Sequence, residues 1–308
     1  MNSKKVNRFF LTTILLHLFV VVLLVVFRYS FELGIVANFF VSSGMIILPA
    51  ALFLMISGEN WQDALGMHKI KWSTVGMIVL FTFLTMPLTT LINAFSMLFV
   101  DNAVVAMSGE VLELPFLASF FFIAIMAPFG EEVVFRGFVY RGYRRSGTLF
   151  QAMLLSALLF SFGHMNFNQA AYAFVIGIIL VLLVEATGSI WSSVLYHVVF
   201  NGYSVCMMYL AETLLPGGFE EEMLQGEEYM ESLLYSMGIS VVSAVIASSI
   251  AACAFIWIAR NENRLEWIRQ IWSRRKEKRE KMITPSLIIA IVLCLGYMIA
   301  DAILYKMM

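Results

Sequence analysis

The feature that most constrains this chain is the spacing of its charges. Asp, Glu, Lys and Arg are absent from 9–27, 33–58, 73–100, 114–130, 146–184, 186–211, 232–259 and 282–300. About 20 apolar residues carry a helix across the hydrocarbon core of a bilayer. Backbone groups in lipid must be satisfied internally, which leaves helices or closed barrels. Most of the runs suffice for one crossing. The run 146–184 suffices for two, broken by the polar patch His164-Met165-Asn166-Phe167-Asn168-Gln169. The pattern predicts an all-α polytopic membrane protein of about nine transmembrane helices. They lie near 9–27, 34–57, 73–100, 116–141, 148–164, 169–186, 189–211, 233–259 and 283–305. Lys4, Lys5 and Arg8 precede the first apolar stretch, which continues to Arg28 without a small-residue cleavage site, so it reads as a membrane helix rather than a cleaved signal peptide.

With 61% hydrophobic and 13% charged residues, the composition excludes a soluble globular domain and a disordered chain. A formal net charge of −1 supplies no field for nucleic acid. Cys206, Cys253 and Cys294 sit in apolar runs without a C-x-x-C pair, which points to neither a disulfide framework nor a thiolate metal site.

Lys and Arg mark cytoplasmic loops. With the N-terminus in the cytoplasm, the inside segments carry Lys4/Lys5/Arg8, Lys69/Lys71, Arg141/Arg144/Arg145 and the basic stretch 260–281. The outside segments are 101–113, with Asp101, Glu110 and Glu113, and the Glu-rich 212–232. Arg28 is the exception outside, and the short turn 185–188, with Glu185, is the exception inside. Segment 260–281 places Leu265, Ile268, Ile271 and Trp272 at helical spacing opposite its basic residues. It reads equally as an interfacial helix on anionic lipid or as a solvated basic loop.

Polar side chains at bilayer depth are costly, and they cluster here between 130 and 201. Glu131 and Glu132 follow the uncharged run 114–130. Glu132 and Arg136 are four apart, the spacing of an ion pair on one helix face. Glu131 is turned about 100° away and has no such partner, which suits a base. Pro128 and Gly130 would loosen the helix just before them. Phe160 and His164 fall one turn apart at the end of the next span. His197 and Asn201 project from one face of another, and can ligate a metal or donate hydrogen bonds to an oxyanion. Each motif has a plainer reading: an orienting ion pair, a mouth histidine satisfied by Asn166 or water, an interhelical polar contact. Together they make a hydrolase inventory of base, imidazoles and amide. Zincin, nucleophile-elbow serine and paired-aspartate motifs are absent.

Glu131-Glu132-x-x-x-Arg136, Phe160-x-x-x-His164 and His197-x-x-x-Asn201 resemble, in order, the three signature motifs of the CAAX-prenyl-protease and bacteriocin-processing (CPBP, ABI) family, which is related to the type II CAAX endopeptidases. The resemblance covers about 115–205. It divides the chain into N-terminal helices 1–114, a catalytic core 115–205 and C-terminal helices 206–308. It implies a glutamate-dependent intramembrane endopeptidase acting on a hydrophobic or membrane-associated peptide in a bacterial plasma membrane. Glu131 would activate water, His164 would hold the water or a metal, and His197 and Asn201 would stabilise the oxyanion. Glu132, Arg136 and Phe160 would be supporting residues. Glu131, His164 and His197 could bind Zn²⁺ with one position open; a metal-free arrangement fits the same residues.

Other polar residues invite plainer expectations. His17 reads as packed, His68 as solvated and Glu185 as a carboxylate snorkelling from a turn. Asp301 reads as buried by depth, in contact with another helix. The competing functions are a non-catalytic scaffold or immunity protein of the same family and, behind it, a proton-coupled transporter, for which no polar path to both faces is visible.

Overall fold

The computed structural model describes residues 2–27, 34–57, 61–214, 226–273 and 281–307. Arg28, Glu220, Glu221, Glu222 and the basic run 274–280 lie outside the described residues, as do the side chains of Ile271 and Trp272. The described residues form helices only: α1 Ser3–Val26, α2 Ile35–Ser57, α3 Trp61–Leu65, α4 Trp72–Ser96, the short α5 Ala103–Ala106 and α6 Ser108–Leu112, α7 Phe116–Ser146, α8 Leu149–Gly163, α9 Phe167–Thr187, α10 Ile190–Leu214, α11 Gly226–Asn261, α12 Leu265–Ser273 and α13 Pro285–Met307. Seven of these are long and apolar enough to cross a membrane. Two shorter apolar helices, Val36–Leu52 and Leu149–Gly163, fall where the second and fifth spans are expected.

α7 is continuous but not uniformly α-helical. Phe120–Met126 and Val133–Tyr140 are π-helical, and the short α-helical piece Ala127–Glu132 between them carries both glutamates. Glu131 sits fifteen residues from either end of α7, about 22 Å along the axis at 1.5 Å per residue. The helix therefore holds it at its own midpoint. π-segments are rare and tend to occur where a functional group must be re-aimed.

α8 and α9 form a helical hairpin behind α7. Thr148 and Gln151 make a capping box that starts α8, and the Asn166 side chain caps α9 by accepting from the Gln169 N–H at 3.1 Å. A Cβ added to Gly177 of α9 would lie 2.9 Å from the Ala157 Cα of α8, so the two backbones meet there. Gly177→Val is expected to cost about 1–3 kcal/mol through overpacking, read as a lower thermal midpoint of the purified protein.

Two polar knots fasten the ends of the bundle. At one end, Asn7 of α1 donates to the Met282 carbonyl (2.8 Å) and to Thr284 (2.9 Å), and accepts from the Tyr143 hydroxyl of α7. The Ser3 N–H donates to Ser146 Oγ at 2.8 Å. The first and last long helices are thus tied to the C-terminal end of α7. At the other end, Asn168 donates to Asn93 and Ser96 of α4, both at 2.8 Å, and accepts from the Ala103 N–H at 3.1 Å. That bond holds the α5–α6 segment across the mouth of the bundle.

One expectation is corrected here. Glu185 does not snorkel. It is 7% exposed, accepting from the Tyr140 hydroxyl (2.5 Å) and the Trp267 indole (2.7 Å), with Arg144 at 4.0 Å. Its carbonyl accepts from Arg264 at 2.8 Å. The reason is α12, which lies over Glu185: its Leu265 and Ile268 pack on the protein core. Leu265 and Ile268 of that segment thus face the protein. The Asp301 side chain is exposed in the bundle and lines a cavity of about 280 Å³ with Asp101 and Asn166 of other segments. It sits near the C-terminal end of α13, past the packed part of that helix. His17 is packed edge-on against Tyr297, with ring centroids 5.9 Å apart, and His68 is exposed.

Candidate active site

The three sequence motifs converge on one chamber. A cavity of about 260 Å³ is lined by Glu131, His164, His197 and Asn201, with Phe160 and Tyr172 in its wall. α7 supplies the glutamate, the end of α8 the first histidine, and the middle of α10 the second histidine and the asparagine.

The two adjacent glutamates do different things. Glu132 is fully buried: its Oε1 lies 3.0 Å from Arg136 Nη1, one turn along α7, and 3.0 Å from His197 Nδ1 across the bundle. Arg136 is buried too. Its guanidinium lies 4.1 Å from the centre of the Phe160 ring, a cation–π contact, and its Nε and Nη2 make no hydrogen bond among the described residues. Carboxylate, guanidinium and imidazole thus form one buried charged unit. Glu131 stays outside it, with a side chain 24% exposed toward the cavity and its Oε2 3.9 Å from His197 Nε2. That is longer than a hydrogen bond, and no direct partner holds Oε2.

Both imidazoles are anchored through Nδ1. His197 Nδ1 faces the Glu132 carboxylate, and His164 Nδ1 lies 2.9 Å from the Phe160 carbonyl. A carbonyl or carboxylate oxygen can only accept, so Nδ1 is the protonated nitrogen in each ring, and Nε2 of the neutral ring carries the lone pair. The Phe160 ring stands edge-on to both histidines, 4.8 Å from His164 and 5.8 Å from His197 between centroids, which fixes their planes.

Asn201 donates through Nδ2 to the Ile123 carbonyl at 3.0 Å. Pro128 explains why that carbonyl is free. In the i→i−5 pattern of the preceding π-segment, Ala127 N–H bonds the Phe122 carbonyl. The next donor would be residue 128, bonding Ile123, but proline has no N–H. Asn201 takes its place, and its second N–H remains for the cavity.

Tyr172, one turn past Gln169 on the same cavity wall, was not foreseen from the motifs, nor was the Ile123 carbonyl. The spacing of Tyr172 after the polar patch and the known effect of Pro128 on its upstream acceptor are the signals that bear on them. As for a metal, no group of three or more His, Cys, Asp or Glu among the described residues is placed to hold one. Glu131, His164 and His197 share a cavity without converging on one coordination sphere.

Fold and site together define a polytopic helical membrane protein with a buried glutamate–histidine–asparagine chamber. Residues 113–203 match the family described as type II CAAX prenyl endopeptidase Rce1-like, so that segment is similar to the CAAX protease family. The matched segment contains all seven motif residues. No curated protein and no solved structure matches the chain.

Proposed function

We propose that the protein is an intramembrane endopeptidase that hydrolyses a peptide bond in a hydrophobic or membrane-associated peptide, with Glu131 as the general base. The observation that carries this reading is the division between the glutamates: Glu132 is committed to Arg136 and His197, while Glu131 faces the cavity without a direct partner. Water at the cavity-facing side of the Glu131 carboxylate can share its second contact with an imidazole Nε2. Glu131 takes one proton from this water as its oxygen attacks the carbonyl carbon. The tetrahedral oxyanion accepts from the second Asn201 N–H, and from His197 Nε2 where that ring has taken up a proton from bulk water before the attack. Glu131 then returns the proton to the departing amine, giving one carboxylic acid and one amine per water consumed. Glu132 and Phe160 act as positioning residues, since each fixes an imidazole.

The test is a quantitative comparison of peptide termini in cells carrying the native protein, Glu131→Ala or His164→Ala, each at equal abundance. The reading expects a set of termini that disappears in both variants. Termini that persist unchanged in both would favour a non-catalytic scaffold.

A further inference from the structure

We infer that the catalytic chamber is reached from the non-cytoplasmic face, so that the substrate is a peptide exposed on, or inserted from, that side of the membrane. Every cavity-lining element contributes residues from the same end of the bundle. α7 gives Ile123, Ala127 and Glu131 from its N-terminal half, and α8 gives Phe160 and His164 from its last turns. α9 gives Gln169 to Ile176 from its beginning, and α10 gives His197 to Met208 from its middle and later part. The roof is Val104, Met107 and Val111 of the α5–α6 segment, held there by Asn168. No residue from the opposite end lines the chamber: neither Arg141, Arg144 and Arg145, nor Lys69 and Lys71, nor any residue of 260–273.

The two ends differ sharply in charge. Segments 97–115, 164–168, 208–214 and 226–232 contain no Lys or Arg, leaving Arg28 and Lys306 as the cations that the sequence assigns to this side, while Asp101, Glu110 and Glu113 stand exposed around the roof. The opposite end carries Lys69, Lys71, Arg141, Arg144, Arg145, Arg260, Arg264 and Arg269. Lys and Arg in short loops are retained in the cytoplasm during insertion. The basic end therefore faces the cytoplasm and the roofed end faces away from it. α12 closes the basic end further, latched over Glu185 through Trp267 and Arg264. The path from Glu131 to water thus runs past Met107, which is 46% exposed, toward the acidic face. The identity of the cargo as a peptide rests on the function proposed above; the side of access does not.

The experiment is thiol labelling of the full chain in intact cells with a membrane-impermeant maleimide, before and after lysis. The exposed native Cys206 and Cys253 are replaced by serine. Met107→Cys reports the chamber roof, and Arg269→Cys, whose parent side chain is 66% exposed, reports the basic end. The expected result is full labelling of Met107→Cys in intact cells, with Arg269→Cys reacting only after lysis. Met107→Cys reacting only after lysis, or Arg269→Cys reacting in intact cells, overturns the inference. If the serine replacements do not accumulate, each reporter is placed in the native chain and the labelling of the native protein is subtracted. Adding Glu131→Ala should leave the labelling unchanged, so a failed peptidase assay and a failed side assignment are separately visible.

Discussion

Glu131→Gln is expected to slow peptide hydrolysis roughly 100- to 10,000-fold, the range that a positioned general base supplies, without lowering the thermal midpoint. The amide keeps the size of the carboxylate and loses its basicity. No hydrogen bond in the protein is lost: Oε2 of Glu131 makes none, and the 3.9 Å separation from His197 Nε2 is too long for one. Turnover of purified protein in bilayer discs, set beside its melting curve, checks both halves. A variant as active as the native protein would remove the base from the mechanism.

Glu132→Gln is expected to behave in the opposite way. It leaves Arg136 in a fully buried site without its counter-ion, and removes the carboxylate that holds His197 Nδ1. Breaking one side of a buried ion pair costs about 3–5 kcal/mol, so the protein should melt early and accumulate poorly. Replacing both partners, Glu132→Met with Arg136→Leu, should recover much of that stability, because no uncompensated charge remains. It should not recover activity, because His197 still lacks its acceptor. Melting curves and cellular abundance of the single and double variants separate these effects. Full activity in the double variant would show that Glu132 has no positioning role.

The contrast between these neighbours explains how much of the site was legible beforehand. The Glu132–Arg136 pair follows from four-residue spacing, and the opposite turn of Glu131 follows from the 100° step of a helix. The membrane helices follow from the absence of charge, because local hydropathy alone decides whether a segment stays in lipid. What spacing could not supply was contact between distant segments. Glu132 meets His197 across 65 positions, and Asn201 meets the Ile123 carbonyl across 78. The second of these depends on a π-helical register that periodicity does not encode. Glu185 misled for the same reason: a carboxylate at a turn looks solvated until Tyr140 and Trp267 close over it. Segment 265–273 shows the limit of amphipathicity as a guide. A helix with an apolar face must cover something, and its pattern does not distinguish lipid from the rest of the protein.

The most direct measurement of the central claim uses heavy-oxygen water. Membranes holding the native protein, Glu131→Gln or no protein are incubated in ¹⁸O water, and newly formed C-termini are read by mass spectrometry. A set of termini should appear only with the native protein, each carrying one ¹⁸O atom from the attacking water. The same labelled termini formed at native rate by Glu131→Gln would contradict the account.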